Sequence, residues 1–450
     1  NPQNTQCMPA VKIFAFLDLD EKSWFFFGHD VGIAEMQKAN GGQVEVELPA
    51  SDPFDNHIQP HEKGGCILKR KLLTVLIVGI FMLSATAVYA ADDAYHIGCA
   101  LAITGKAAWL GEPERNTVEM VAEKINANGG INGHKIVLHI EDTQGSNTRA
   151  VNAVKKLIKK DDVCAIIGPS RSGTTLASIP VVEKAEVPML SCAAAASIVN
   201  PPDQRRWVFK MGQNDSDAAR RIYGHMKKNG IEKVGVMTGS TGFGDAGRTQ
   251  LKKLADDYGI EIVADETYAP GDTDMTAQLI RIRNSGAQAV INWSIVPAQS
   301  IVPRNMKQLK MDLPLYQSHG FANIKYAEAA GKAAEGSIFP AGRIMGAATV
   351  PDDHPQKEVL EKYKAAYESR YDEQVTTFGG HAYDAMHIIA KALEKVGDNA
   401  EAIRDEIETM RFVGISGIFE FSETDHCGLD KTAFEMMTVK NDRFVVLKDE

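Results

Sequence analysis

Short apolar runs alternate with longer amphipathic stretches along the chain from Tyr95 onward. The apolar runs have the length of buried strands, and the amphipathic stretches have the apolar spacing of helices. In the first half, the pattern predicts strands at residues 96–103, 135–142, 163–167 and 187–191, and helices at 114–128, 147–160 and 174–185. Regular strand-helix alternation implies a parallel sheet with right-handed crossovers.

A second series of the same kind follows a change of character near residues 207–214. It predicts helices at 217–229, 247–258, 274–285 and 297–309, and strands at 233–238, 261–268, 289–293 and 315–318. Three further helices are predicted at 355–370, 379–396 and 400–410, and strand-like stretches at 417–421 and 434–447. We predict an α/β fold of two doubly wound parallel-sheet lobes joined by a hinge that the chain crosses several times. Lobe 1 would comprise residues 91–212 plus 343–416, and lobe 2 residues 213–342 plus 417–450.

Residues 67–90 have the features of a cleaved signal peptide. Lys69, Arg70 and Lys71 precede a long apolar run, and small residues come just before Ala91. The alternative is a retained membrane anchor, but the run is short for a span of about 20 residues, and the small residues favour cleavage. We expect a periplasmic protein that starts at Ala91, with residues 1–66 a non-native upstream extension.

Composition limits the classes of function. A chain of 450 residues with 44% hydrophobic and 24% charged residues is long enough for two globular domains. Its net charge of −10 argues against a nucleic-acid partner. Four of the six cysteines follow residue 91, namely Cys99, Cys164, Cys192 and Cys427. Sequence alone cannot pair them, and we expect no essential disulfide.

The stretch 163–197 is the strongest candidate for a ligand site. Its first strand leads through a turn of Ser, Gly and Arg residues into a helix, and its second strand ends in a run of alanines. The carboxyl edge of a parallel sheet is where ligands bind. The free N–H groups of a helix start, with the hydroxyls of Ser172 and Thr174, favour an anion such as a carboxylate. The alternative is that Ser172 or Thr174 only caps the helix, while the alanines only pack.

Several motifs in a fixed order carry a family resemblance: AIIGPSRSGTT, VPMLSCAAAAS, GSTGFGDAG, PLYQSHGFAN and TTFGGHAYDA. With them, residues 91–450 resemble the type I periplasmic solute-binding proteins of the branched-chain amino-acid (Leu/Ile/Val) transport group, also called extracellular ligand-binding receptors. The resemblance implies a binding protein without enzymatic activity, cofactor or metal. Its partners would be a small solute and the permease subunits of an ABC transporter, which recognise the closed form.

The resemblance also assigns candidate site residues. It implies that one group of residues holds the ligand carboxylate, namely Ser172, Gly173, Thr174, Ala193, Ala194 and Ala195. Trp109, Phe243 and Phe378 would form aromatic walls, and Arg171 adds a positive charge beside the anion site. Core packing is the alternative for the three aromatic residues. Their setting among glycines and small residues predicts loops, which favours the site.

One position departs from the family pattern. Amino-acid binders of this group commonly place an acidic residue, which pairs the ligand ammonium, where this chain has His319. A neutral His is a poor partner for an ammonium, and a protonated His repels it. We therefore expect a carboxylate with an aromatic or branched aliphatic body. The alternative is a branched-chain or other hydrophobic amino acid. His381 could assist, although a structural role is the commoner one for such a residue.

Two other classes of function are less well supported. The segment GSTGFG at residues 239–244 follows a strand, but its spacing matches no phosphate-binding loop. Asp425, His426 and Cys427 are adjacent in sequence and are expected to form a solvated turn rather than a metal site. The ligand-sensing domain of a receptor would share the fold, but it would need a signalling segment after the domain. We therefore expect a freely diffusing binder rather than an enzyme or a receptor.

Overall fold

The computed structural model describes residues 94–447 and four short strands nearer the N terminus. These four strands form an antiparallel sheet in the order β1-β2-β3-β4. Their bounds are β1 Phe14–Ala15, β2 Ser23–Phe27, β3 Ala34–Lys38 and β4 Val44–Glu47. The signal peptide predicted at residues 67–90 lies outside the described residues and stays a prediction. Across the described part of the chain, no helix is both long enough and apolar enough to cross a bilayer.

The first large sheet is parallel and lies between helices. Within residues 94–447, its five strands have the order β6-β5-β7-β8-β9. The strands are β5 Tyr95–Leu101, β6 Ile136–Asp142, β7 Ala165–Ile167, β8 Met189–Ser191 and β9 Val208–Lys210. The helices between them are α1 Ala108–Ala127, α2 Asn147–Lys159 and α3 Ser172–Ala185. Every residue of β7 and β8 is buried, as expected for parallel strands covered on both faces.

The second large sheet repeats this plan and ends in an antiparallel edge. Within residues 94–447, its seven strands have the order β11-β10-β12-β13-β14-β17-β18. The strands are β10 Lys233–Gly239, β11 Glu261–Tyr268, β12 Ala289–Trp293, β13 Leu315–Gln317, β14 Ile338–Gly342, β17 Phe434–Lys440 and β18 Arg443–Val446. The helices are α4 Asp215–Lys228, α5 Gly242–Tyr258, α6 Thr276–Asn284, α7 Ile301–Gln308 and α8 Ile324–Ala330. The predicted α/β class with two parallel-sheet units is confirmed.

The segment between β14 and β17 returns to the first sheet. It contains α9 Lys357–Tyr371, α10 Thr377–Val396, α11 Ala400–Glu408 and a hairpin of β15 Arg411–Val413 and β16 Ile418–Glu420. Helix α10 places Ala385, Ile388 and Ile389 in the hydrophobic core of the first sheet. Because β17 and β18 then rejoin the second sheet, the chain crosses between the two units repeatedly, as a hinge requires.

The packing suggests a different last boundary between the lobes. Phe419, Phe421 and Leu429 belong to the core of the first sheet, whereas Phe434 belongs to the core of the second. Strand β16 stays with the first unit because it pairs with β15. We therefore place the last crossing just before Phe434 rather than at residue 417, and the lobe division otherwise remains a proposal.

The first helix begins earlier than the sequence predicts. The sequence predicts the first helix at residues 114–128, but α1 begins at Ala108. Pro113 has no backbone N–H, so the carbonyl of Trp109, four residues earlier, has no partner within the helix. That carbonyl instead accepts a hydrogen bond of 2.8 Å from the amide Nδ2 of Asn323. Because Asn323 precedes α8 of the second unit, a proline in one lobe creates an acceptor for the other.

Gly247, within helix α5, tests the packing of the second core. A Cβ at this position would lie 2.1 Å from Nε1 of Trp293, whereas at Gly224 of α4 the nearest atom is 4.0 Å away. We expect Gly247→Ala to lower the free energy of unfolding by about 1–3 kcal/mol through overpacking. The control Gly224→Ala should raise it by about 0.5–1 kcal/mol through helix propensity. Urea unfolding measures both, and equal effects of the two substitutions would contradict this packing.

Candidate functional site

A small cavity lies where residues of both units meet. Its volume is about 10 Å³, roughly enough for one water molecule. The lining residues are Ser170, Ser172, Cys192, Ala193, Ala194, Gln213, Phe243, Ile295, His319, Gly320, Gly342, Thr377, Phe378, His381 and Phe434. A solute larger than water therefore needs these side chains, or the lobes that carry them, to move apart.

The start of helix α3 supplies the donors on the first lobe. Its N-cap residue is Arg171, whose side chain makes no capping hydrogen bond. By contrast, Thr241 and Thr376 cap α5 and α10 through their hydroxyl groups. The first N–H groups of a helix have no partner within the helix, so those of α3 remain available to a ligand. The capping role suggested for Ser172 and Thr174 is not the one that the structure shows.

Ser172 and the alanine loop lie side by side. The hydroxyl oxygen of Ser172 accepts a hydrogen bond of 3.3 Å from the backbone N–H of Ala195. The hydroxyl hydrogen of Ser172 can therefore be donated to a group in the cavity. Thr174 differs, because its hydroxyl donates to the carbonyl of Arg171 at 2.8 Å. Of these two hydroxyls, that of Ser172 is the one whose hydrogen is free to point into the cavity.

The three predicted aromatic residues occupy equivalent positions. Trp109, Phe243 and Phe378 are each the second residue of a helix, namely α1, α5 and α10. The loop setting inferred from neighbouring glycines was therefore wrong, because those glycines lie within the first turns of helices. Phe243 and Phe378 line the cavity. Trp109 lies outside it and packs edge-on against Tyr326, with ring centroids 5.1 Å apart.

His319 is a buried polar side chain without a hydrogen-bond partner. It follows β13, is 7% exposed, and neither ring nitrogen has a partner among the described residues. Phe243, Trp293 and Phe434 pack edge-on against its ring at 5.1–5.5 Å between centroids. Burial, reinforced by the charge of Lys210, lowers the pKa of His319 to about 3. The ring is therefore neutral near pH 7, with one nitrogen that donates and one that accepts.

His381 is the second imidazole of the cavity. Its Nδ1 lies 3.0 Å from the carbonyl oxygen of Cys192, and its Nε2 lies 3.4 Å from Oε1 of Gln213. Burial lowers the pKa of His381 to about 3, so this ring is also neutral. A neutral imidazole has one N–H, which suits the shorter contact, with Nδ1 donating to the carbonyl of Cys192. His381 therefore has a structural role, which is the commoner one for such a residue.

The structure gathers some predicted residues at the cavity and leaves others outside its lining. Ser172, Ala193, Ala194, Phe243, His319 and Phe378 line it. The residues outside the lining are Trp109, Arg171, Gly173, Thr174 and Ala195. Arg171 donates a hydrogen bond of 3.0 Å to the carbonyl of Gly145. For all eleven residues, contact with a ligand remains a prediction.

Sequence reasoning missed several lining residues. Ser170 belongs to the same turn as Ser172, so the turn itself was a signal for it. Gln213 and Phe434 come from the segments where the chain crosses between lobes. The sequence could have indicated them only if the crossings had been predicted at those two positions. The lining contains no Asp or Glu side chain. A positively charged group in the cavity would therefore meet neutral acceptors only.

The Asp425-His426-Cys427 segment is not the solvated turn that was expected. His426 is 3% exposed and Cys427 is 1% exposed, while Asp425 lies at the surface. His426 contacts the carbonyl of Val208 and Oε1 of Glu408, and Cys427 lies 3.3 Å from Nζ of Lys210. The segment is buried because it packs against the last strand of the first sheet. Among the described residues, no group of three His, Cys, Asp or Glu side chains could hold a metal ion.

Comparison with known proteins gives consistent results. Residues 94–442 match a family described as periplasmic binding protein. A leucine-, isoleucine-, valine-, threonine- and alanine-binding protein of Pseudomonas aeruginosa is 25% identical over 378 residues, which cover 83% of this chain and 97% of that protein.

Two solved structures are also similar. An extracellular ligand-binding receptor from Rhodopseudomonas palustris HaA2 superimposes with a TM-score of 0.74 at 30% identity, covering 79% of this chain and 99% of that one. The isoleucine complex of the branched-chain amino-acid transporter substrate-binding protein LivJ from Streptococcus pneumoniae gives a TM-score of 0.69 at 25% identity. That match covers 78% of this chain and 97% of the other.

The neutral state of His319 predicts a dependence of stability on pH. The pKa of His319 is about 3 in the folded protein and about 6.5 in the unfolded chain. The folded state therefore binds fewer protons between these values, and stability falls as the pH drops below about 6.5. Between pH 7 and pH 5 this contribution amounts to roughly 2 kcal/mol.

We expect the substitution His319→Phe, which keeps a ring in the aromatic surroundings, to remove this contribution. Urea unfolding at pH 7 and pH 5 would show a smaller loss of stability for the variant than for the wild type. His381, whose pKa is lowered in the same way, stays in place and should leave part of the acid sensitivity. An unchanged loss would mean that His319 can take up a proton in the folded state.

Proposed function

The chain belongs to the periplasmic binding protein family, and we propose that it is the solute-binding component of an ABC importer. We propose a small hydrophobic amino acid of the Leu/Ile/Val class as its solute. The observation that carries the proposal is the cavity, which is lined by the helix start at Ser172 on one lobe and by Phe243 and His319 on the other. Donors facing aromatic rings suit a ligand that has a carboxylate and an apolar body.

The carboxylate would dock on the first lobe. The first N–H groups of α3 and the hydroxyl of Ser172 supply donors, and the helix dipole favours a negative charge there. The side chains of Ala193 and Ala194, which line the cavity, leave room for close approach. Arg171 adds a positive charge one residue before the helix. These features support a carboxylate whether or not the same ligand also carries an ammonium.

The relatives favour an amino acid over other carboxylates. Both the Pseudomonas protein and the Streptococcus protein carry names that refer to branched-chain amino acids. The ammonium of such a ligand would meet the accepting nitrogen of His319 and, after a shift of its side chain, Oε1 of Gln213. Both acceptors are neutral, so they would hold an ammonium less strongly than a carboxylate does.

A specific observation favours a second candidate. Because the cavity lining has no Asp or Glu side chain, an ammonium would be buried without an opposite charge from the protein, which is costly. A 2-oxo acid or an aromatic acid has the same carboxylate and an apolar body but no ammonium. His319 would then donate a hydrogen bond to an oxygen of the ligand.

Closure of the lobes would enclose the solute. The cavity volume of about 10 Å³ admits no amino acid, so the solute must enter a more open form, in which the lobes rotate apart. A permease would recognise the closed form. On this proposal the protein acts in the periplasm after removal of residues 67–90, and it catalyses no reaction.

A thermal-shift screen tests the function and the class of solute. Residues 91–450 would be heated with leucine, isoleucine or valine, and in parallel with 4-methyl-2-oxopentanoate, benzoate or phenylacetate. A solute that binds the native state raises the melting temperature. We expect the branched-chain amino acids to give the largest rise.

Three results of the screen are distinguishable. If the acids without an ammonium give the larger rise, the second candidate replaces the first. If neither set stabilises the protein, the proposed class of solute is wrong.

The substitution Ser172→Ala should lower the affinity for both sets of solutes by about tenfold, because it removes a hydrogen bond to a charged group.

A pair of glycines tests closure. A Cβ at Gly242 would lie 2.8 Å from the Cα of Gly173 across the cleft, whereas the nearest atom to a Cβ at Gly173 is 3.5 Å away. We expect Gly242→Ala to obstruct closure and to weaken binding about tenfold or more, while Gly173→Ala has a smaller effect. Titration calorimetry measures the affinities, and the melting temperature of the ligand-free variants checks their folding. Equal affinities would mean that this contact is not part of the bound form.

A further inference from the structure

We propose that Glu114 acts through Ser170 as a proton-dependent positioning residue for the solute carboxylate. When Glu114 is protonated, Ser170 can donate its hydroxyl hydrogen to the solute, and when Glu114 is ionised it cannot. Solute binding is then accompanied by proton uptake. This inference rests on the proposed function, because it concerns the carboxylate of the solute bound in the same cavity.

Glu114 lies directly behind the cavity wall. It is a residue of helix α1 and is completely buried. Its Oε2 is hydrogen-bonded to the hydroxyl of Ser170, which lines the cavity. Its Oε1 has no partner among the described residues. A buried carboxyl with a free oxygen and no paired cation is expensive to keep ionised.

The hydrogen bonds of Ser170 limit what it can donate. Its hydroxyl oxygen accepts a hydrogen bond of 2.9 Å from the backbone N–H of Ala102. A hydroxyl has one hydrogen and can accept two hydrogen bonds. If Glu114 is ionised, the one hydrogen of Ser170 must point to its carboxylate. If Glu114 is protonated, it donates to Ser170, and the hydrogen of Ser170 is free to point into the cavity.

The titratable groups around Glu114 come from several elements. Cys99 of β5 and Cys192 after β8 interact electrostatically with Glu114. Helix α10, which packs against α1, carries His381 and Asp384, and Tyr363 of α9 is hydrogen-bonded to Thr117 of α1. Burial raises the pKa of both thiols and of Tyr363 above the ordinary range, so these groups stay neutral. His381 is neutral as well. Burial raises the pKa of Glu114 to about 8 and that of Asp384 to about 7. Asp384 is therefore the other group whose titration could cause proton uptake in this pH range.

Proton uptake has a definite sign. A carboxylate bound next to Ser170 disfavours the ionised form of Glu114 and stabilises the protonated form, so binding and protonation favour each other. The affinity should therefore fall as the pH rises toward and through the pKa of Glu114 in the free protein. With a pKa of about 8, the affinity at pH 8.5 would be up to about fourfold lower than at pH 6.5.

The experiment measures affinity and proton uptake by titration calorimetry at pH 6.5 and 8.5, in buffers of different ionisation enthalpy. The probes are isoleucine and 4-methyl-2-oxopentanoate, whichever binds. We expect wild type to take up roughly 0.5–0.75 proton at pH 8.5. In Glu114→Gln, the amide donates to Ser170 at every pH. This variant should bind with the affinity that wild type has at pH 6.5, without proton uptake or dependence on pH.

Two control variants separate the alternatives. Asp384→Asn should keep the dependence of affinity on pH, because Asp384 accepts the N–H groups of Ile415 and Ser416 rather than a hydrogen bond from Ser170. Ser170→Ala should weaken binding at pH 6.5 and abolish the difference between the two pH values. Loss of that difference in Asp384→Asn, or its survival in Glu114→Gln, would overturn the inference.

A second measurement does not depend on the solute. In protein labelled with ¹³C at the glutamate carboxyls, one signal should titrate near pH 8 and should be missing from Glu114→Gln. If neither probe binds, the proposed class of solute fails, and this titration still decides on Glu114. A carboxyl that titrates at the ordinary glutamate value of about 4 would overturn the inference, and one that titrates near pH 8 would support it.

Discussion

The start of one helix from each lobe meets the other across the cleft at two glycines, and the site depends on this approach. A Cβ at Gly242 of α5 would lie 2.8 Å from the backbone of Gly173 in α3, so no larger residue fits at 242 in this arrangement. The start of α10 also reaches the cavity through Thr377 and Phe378. Helix starts carry positive partial charge, and their convergence disfavours a cation there. The residues that line the cavity are neutral or aromatic, so they add no charge to the positive partial charge of the helix starts.

Much of the architecture could be predicted from the sequence, because strands buried on both faces are nearly continuous apolar runs. The alternation of strands and helices predicted both sheets, and small residues after two strands predicted the turn at Ser172. The start of α1 at Ala108 was not predicted, because the helix was expected only from residue 114 onward. Gly111 is needed because a Cβ there would lie 2.2 Å from the carbonyl of Ala102, a contact between segments that local patterns do not report. Gln213 and Phe434 were also not predicted. They reach the cavity only where the chain crosses between the lobes, which local sequence patterns do not report.

The hydrogen bond between Asn323 and the carbonyl of Trp109 shows how a helix irregularity serves the contact between lobes. Pro113 frees that carbonyl, and Asn323, which is 2% exposed, satisfies it. Lys325, two residues further on, lies 3.2 Å from Glu373 of the first lobe. The hydrogen bond is partly buried and directional, so it constrains how the lobes meet. The ion pair is partly exposed, and such pairs contribute little and weaken in salt. Of these two contacts between the lobes, the hydrogen bond of Asn323 is therefore the stronger constraint.

The distribution of charge around the cavity bears on the choice between an amino acid and an acid without an ammonium. Lys210 is fully buried, and its charge, after burial, helps to lower the pKa of both cavity histidines. Lys210 and the start of α3 add positive charge near the site, and Asp215 offsets part of it through its interaction with Lys210. A zwitterion brings a carboxylate and also an ammonium, which the remaining positive charge repels. An amino acid is therefore held only if its ammonium points toward the acceptors on the second lobe, away from Lys210. The accepting nitrogen of His319 and Oε1 of Gln213 are the groups in the lining that would impose this orientation. Because neither ring nitrogen of His319 has a partner in the part of the chain that the structure describes, the neutral ring can turn an acceptor to an ammonium or a donor to an oxygen.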